Sequence, residues 1–149
     1  MSALRLMKPR EKIIQKLSEM DKYLDEVEAM LPSTVDDYVE NLQVRRACEK
    51  TIELAIETVI NVLSAAIALS NFGIPSSEDS IIQIAEKNKI LNASLASRIR
   101  EMKGFRNIIV HKYGEIDDER VYKYLSNELD DFDNFRKQIL TFMKHAKSK

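Results

Sequence analysis

From Pro32-Ser33 to Asn71 nothing in the chain breaks a helix for more than thirty residues, and apolar side chains through that stretch recur at helical intervals. Val35, Tyr38 and Leu42 begin a stripe, and Ile52, Ala55, Ile56, Val59, Ile60, Leu63 and Ile67 widen it into a broad apolar face. A helix of that length exceeds the usual ~10–14 residues, and its second half has to be covered on more than one side. A chain organised round such an element folds as packed helices; strands would need alternation, which is absent. The scarcity of turn formers agrees, because 3 Gly and 3 Pro in 149 residues are too few for a hairpin-rich sheet protein.

The remaining helices are of ordinary length. Pro9 suits a first helical turn, and Ile13, Leu17, Met20, Leu24, Val27 and Leu31 follow at steps of three and four. Ser33, Thr34 or Asp36 can cap the long helix. Its end is expected at Gly73 as the left-handed residue, with Ile74 making the accompanying apolar contact before Pro75. A polar connector over residues 76–80 leads to a brief helix over residues 81–87, and Asn92 caps the next, which turns Leu95, Ile99, Met102, Phe105, Ile108 and Ile109 inward. Gly104 inside that helix costs ~1 kcal/mol relative to Ala, so close packing or a bend is expected there. Asp117 caps a last helix that buries Val121, Leu125, Leu129, Phe132, Ile139 and Phe142, and the basic tail from Lys144 is expected to fray. This gives an all-α antiparallel bundle of about five helices, one of them short, as a single domain over residues 1–149.

Composition narrows the function classes. A net charge of −1 does not advertise nucleic acid or membrane for the molecule as a whole. The lone Cys48 excludes an intramolecular disulfide and a cysteine-based zinc site, and no metal cluster or cofactor motif is evident. No secretory leader or membrane-spanning run is read, so the expected compartment is the cytoplasm. Charge is nevertheless segregated. Residues 86–112 carry a net +5 and residues 114–133 a net −6. Such runs are most often solvated faces that attract each other, although a positive segment is also what a polyanion needs.

Of the two histidines, His145 sits in the Lys-rich tail and reads as a solvated cation. His111 stands in Arg106-Asn107-Ile108-Ile109-Val110-His111-Lys112-Tyr113, just before Gly114 should stop a helix. Asn107 and His111 are four apart and share a face. Arg106 and His111 lie about 140° apart round the axis, so they border one cleft only if the helix edge lines it or a second subunit completes it. On spacing alone the plain structural account is the better supported: a dipole-favoured imidazole, an Arg106 paired with the acidic last helix, and a half-buried Tyr113.

Arg106-x4-His111-x-Tyr113 resembles the R-x4-H-x-Y motif of HepT-like toxins, a branch of the HEPN superfamily, and Asn107 fits the polar position that follows the Arg. Arg45-Arg46-Ala47 with Leu54-Ala55-Ile56-Glu57, Gly73-Ile74-Pro75, Met102-Lys103-Gly104-Phe105-Arg106-Asn107 and Leu129-Asp130-Asp131-Phe132 resemble that family in order and spacing. The resemblance implies a homodimeric helical bundle and a metal-independent endoribonuclease toxin acting on RNA. It also implies a minimal nucleotidyltransferase (MNT) antitoxin that AMPylates the motif tyrosine. Carried over by position, Arg106 and His111 are catalytic, Asn107 is supporting, and Tyr113 is supporting and the site of modification. An alternative within the same likeness is a non-catalytic HEPN binding subunit of a two-component nucleotidyltransferase complex. Glu57, which interrupts the apolar face of the long helix, is left out of the catalytic set. Glu49, Glu53 and Glu57 read as a helix edge paired with Arg46 and Lys50.

Overall fold

A computed structural model describes residues 7–111 and 116–147. Those residues form seven helices and no strand: α1 (Pro9–Met30), α2 (Val35–Glu40), α3 (Leu42–Leu69), α4 (Glu78–Lys87), α5 (Ala93–His111), α6 (Asp118–Asn127) and α7 (Asp130–Lys147). α3 is the axis. Its Cys48, Ile52, Ala55, Ile56, Val59, Val62, Leu63, Ala66 and Ile67 are fully buried, and it packs against α1, α2, α4 and α5. By length and apolarity α3 could cross a membrane, which the sequence reading had not granted to any segment. In this fold those apolar residues are covered by the neighbouring helices. Ile13, Leu17, Met20 and Val27 bring the α1 stripe into the same core, joined by Phe132, Phe135 and Ile139 from α7.

The count of seven rather than five comes from two breaks made without glycine or proline. Asn41 is extended (φ −108°, ψ 97°), ends α2 and caps α3, its side-chain oxygen accepting from the Val44 N–H at 3.0 Å. An Asn side chain that supplies the missing acceptor makes a local alternative to continuous helix. Tertiary contacts then reward the turn. Tyr38 of α2 is fully buried, its ring lies 5.4 Å from that of Tyr122, and the Tyr122 hydroxyl donates to the Pro32 carbonyl at 2.7 Å. The second break, at Glu128-Leu129, separates α6 from α7.

Other expectations shift by a residue or a turn. Thr34 is the cap of α2. Gly73 has the expected positive φ (111°), but the left-handed residue that closes α3 is Asn71 (φ 57°), two residues earlier. The Phe72 N–H reaches the Ile67 carbonyl at 3.1 Å and the Asn71 N–H that of Ala68 at 3.3 Å, which closes the helix end. Phe72 supplies the apolar contact, 6.1 Å from the Phe142 ring, while Ile74 is 95% exposed. α4 begins at Glu78, capped by Ser77. A Cβ added to Gly104 would meet nothing within 4 Å, so close packing is not what selects glycine there. α7 continues past Lys144 to Lys147, with Met143 buried and its carbonyl accepting from Arg10 at 3.0 Å.

Candidate functional site

The last turns of α5 carry the polar motif, and packing fixes their orientation. Asn92 caps the helix by accepting from the Leu95 N–H at 2.8 Å, and its own N–H donates to Gln138 of α7 at 2.9 Å. Phe105 stacks on Tyr124 of α6 at a centroid separation of 3.8 Å, and Ile109 is buried. Ile108, expected in the core beside Ile109, is 48% exposed. Adjacent helical residues point about 100° apart, and α5 presents only one of the two to its neighbours.

With α5 so turned, Arg106, Asn107, Val110 and His111 line one cleft of about 410 Å³, whose opposite wall is Glu57 and Asn61 of α3 and Glu78 of α4. The wide angle between Arg106 and His111 is therefore bridged by the helix edge itself, one of the two ways the spacing allowed. Tyr113 and the Gly114 stop lie outside the described residues. Glu57, left out of the catalytic set, stands in the cleft wall together with Asn61. Both interrupt the apolar face of α3 one turn apart, and that was the visible signal for them. Nothing in the sequence marks Glu78, which lies 28 residues before Arg106.

Glu78 is the residue that Arg106 meets. The Arg106 Nη2 donates to Glu78 Oε1 at 2.5 Å and Nη1 to Oε2 at 3.3 Å, with the Arg106 side chain 11% exposed. The plain structural account had paired Arg106 with the acidic last helix. That pairing belongs to Arg98, whose Nε is 3.4 Å from Asp131 and whose Nη2 is 3.7 Å from Glu128. The basic residues of α5 are partly balanced by α4 instead: Arg100 meets Glu86 at 3.0 Å and Lys103 meets Asp79 at 2.7 Å. The Lys103 ammonium, by hydrogen bond and by charge, holds the Asp79 carboxyl below its ordinary value. Burial raises the Asp131 carboxyl, opposed by Arg98.

Away from the cleft the plainer readings are seen directly. Arg46 pairs with a buried Glu49 at 3.3 Å and Lys50 with Glu53 at 3.4 Å. Cys48 is fully buried, and burial together with the Glu49 charge pushes its thiol up to about 11. His145 is exposed. No three His, Cys, Asp or Glu side chains converge as metal ligands among the described residues.

Chemically the cleft offers a planar cation, an imidazole at a helix end, two amides and two carboxylates. That set can grip a phosphodiester and move protons beside it.

Two curated relatives are a tRNA nuclease HepT from Aphanizomenon flos-aquae, 24% identical over 86% of this chain and 87% of its own length, and an mRNA nuclease HepT from Shewanella oneidensis, 31% identical over 67% of this chain and 68% of its own. The fold is similar to that of a tri-AMPylated Shewanella oneidensis HEPN toxin solved in complex with its MNT antitoxin. The TM-score is 0.80 at 20% identity, covering 87% of this chain and 96% of that one. The family model described as ribonuclease HepT-like matches residues 20–139, and with most of its length accounted for, the chain belongs to the HepT-like ribonuclease family.

Proposed function

We propose that the chain is a metal-independent endoribonuclease toxin, active in the cytoplasm as a single HEPN-like domain that homodimerises, and held in check by an MNT-type nucleotidyltransferase that AMPylates Tyr113. The observation that carries the reading is the meeting of Arg106 and His111 in one cleft, on a helix edge whose neighbouring apolar residue, Ile109, is locked in the core. RNA supplies its own nucleophile, the 2′-OH. An imidazole can take that proton or donate one to the leaving 5′-oxygen. A guanidinium offers its fork to the phosphorane oxygens as charge builds there. Asn107, four residues from His111 on the same face, adds a donor and an acceptor at the cleft wall. The balanced step breaks the P–O5′ bond as the 2′-oxygen bonds to phosphorus, giving a 2′,3′-cyclic phosphate and a 5′-hydroxyl.

The two relatives named as nucleases differ in the RNA they are named for, one tRNA and one mRNA. The substrate proposed here is therefore RNA as a class. Val110, 43% exposed in the cleft lining, and Ile108, 48% exposed on another face of α5, are apolar surface that a second copy can cover. Such a dimer brings two His111 and two Arg106 together, so that one imidazole can act as base and the other as acid. AMP on the Tyr113 hydroxyl places a phosphate and a nucleoside two residues from His111, where they compete with RNA for Arg106.

The test is incubation of purified, unmodified protein with RNA in EDTA. Cleavage leaving 2′,3′-cyclic phosphate ends supports the reading, and a requirement for Mg²⁺ contradicts its mechanism. Co-expression with the nucleotidyltransferase and ATP is expected to add whole AMP masses to this chain, lost in Tyr113→Phe. An adduct mapped to Tyr122 or Tyr124 instead contradicts the cleft-blocking account.

A further inference from the structure

Arg106 does not enter the cleft alone. Its two η-nitrogens straddle the Glu78 carboxylate, at 2.5 Å and 3.3 Å, and the guanidinium side chain is the more enclosed partner, 11% exposed against 38% for Glu78. A guanidinium has five N–H donors in a rigid plane. A carboxylate bound across the two η-nitrogens takes one hydrogen from each and leaves the Nε–H and one hydrogen on each η-nitrogen for another anion. Glu78 is itself anchored. It is the first residue of α4, directly after Ser77, whose hydroxyl accepts from the Ser80 N–H at 3.1 Å. One residue along, Lys103 and Asp79 at 2.7 Å clip the same two helices together without reaching the cleft. The register of α4 on α5 therefore has a second tie, and the Glu78 contact is specific to the motif arginine.

We infer that Glu78 is a positioning residue for Arg106, orienting the guanidinium before RNA arrives so that its remaining donors meet the scissile phosphate. This rests on the ribonuclease reading above and adds to it the group that aims the arginine. Such an arrangement has a kinetic signature. An arginine already ordered does not have to be ordered in the transition state, which favours kcat. The carboxylate that orders it also repels the incoming phosphate, which weakens ground-state binding. Removing the charge while keeping the shape, as in Glu78→Gln, therefore lowers kcat and leaves KM unchanged or lower.

The experiment compares the unmodified wild-type chain, Glu78→Gln, Glu78→Asp and Asp79→Asn on one short RNA oligonucleotide, with nitrogen-15 NMR of the arginine side chains in the free proteins. The account expects kcat of Glu78→Gln to fall about tenfold or more with no rise in KM. Glu78→Asp, which keeps the charge on a shorter arm, should recover part of the loss, and Asp79→Asn should behave as wild type. In the free wild type the Arg106 Nη–H signals should be separate, because rotation is held, and they should merge in Glu78→Gln. Unchanged kcat in folded Glu78→Gln overturns the inference, as does an equal loss in Asp79→Asn. A lower KM with equal or higher kcat overturns it too, since Glu78 would then block the fork. Should Glu78→Gln fail to fold by circular dichroism, Glu78→Asp carries the test, with reduced kcat at unchanged KM expected and wild-type kcat overturning. A wild type that shows the separated NMR signals but cuts no RNA counts against the ribonuclease reading and leaves the hold on Arg106 standing. Merged signals in the wild type overturn the hold itself.

Discussion

The middle of α3 and the end of α5 are both helix surface, and the protein uses them in opposite ways. Between Ile52 and Ile67, α3 buries Ile52, Ala55, Ile56, Val59, Val62, Leu63, Ala66 and Ile67 completely, and α1, α4 and α5 cover it. Over the last turns of α5, Ile109 is the fully enclosed side chain, while Ile108, Val110 and His111 are exposed and Arg106 and Asn107 stand partly open in a cleft. One region is held by the removal of apolar area from water. The other is held by a single buried anchor, the Phe105–Tyr124 stack and charge pairs to α4. The lesson is that stability and chemistry are concentrated on separate stretches of helix surface, so damage to one should be separable from damage to the other.

The strongest way to break that comparison is at His111. His111→Ala is expected to abolish RNA cleavage while leaving far-UV circular dichroism and the denaturation midpoint close to wild type, because an exposed helix-end side chain carries little of the core. Arg106→Lys should fail as well, since a point charge cannot reproduce a two-pronged contact. A large fall in stability for His111→Ala would show that the α5 end is structural after all.

The converse substitution is Leu63→Ala in the fully buried middle of α3. It should cost about 2–5 kcal/mol in urea unfolding, with cleavage per folded molecule retained. Cys48 reports the same region without mutation. Fully buried, with its thiol pushed up to about 11, it should resist alkylation at neutral pH in the native chain and react only on unfolding. Rapid labelling of native protein would mean that the α3 core opens far more readily than its packing implies.

The smallest expected effect is at Gly104. With open space where a Cβ would stand, Gly104→Ala should stabilise the free chain by about 0.5–1 kcal/mol. If the same change weakens self-association by light scattering, the open space is being filled by a second copy.

How far the sequence showed all this depends on the range of the interaction involved. The stripes of α1, α3 and the terminal helices were legible because burial imposes a local period, and the caps at Asn92 and Asp117, with Thr34 as one of three candidates, were legible because they act within three residues. The break at Asn41 was not, since its side-chain cap competes with continuous helix only once Tyr38 finds Tyr122 across 84 positions of chain. The helix closes at a left-handed Asn71, two residues before the positive-φ Gly73, for a related reason: the end that places Phe72 against Phe142 is the one that packs. Arg106 and His111 were legible as residue types at a spacing that resembles a known motif. Their cleft was only half so. Glu57 and Asn61 announced themselves by interrupting an apolar face, whereas Glu78 reaches Arg106 through the packing of α4 on α5, which no local pattern encodes.

The central claim is that the Arg106–His111 cleft cleaves RNA by its own side chains. The most direct measurement is end-mapping of an RNA incubated in EDTA with the purified, unmodified protein, wild type beside His111→Ala. The account predicts 2′,3′-cyclic phosphate and 5′-hydroxyl ends from the wild type and intact RNA from the variant. Equal cleavage by both, or cleavage by the wild type only when Mg²⁺ is restored, would contradict it.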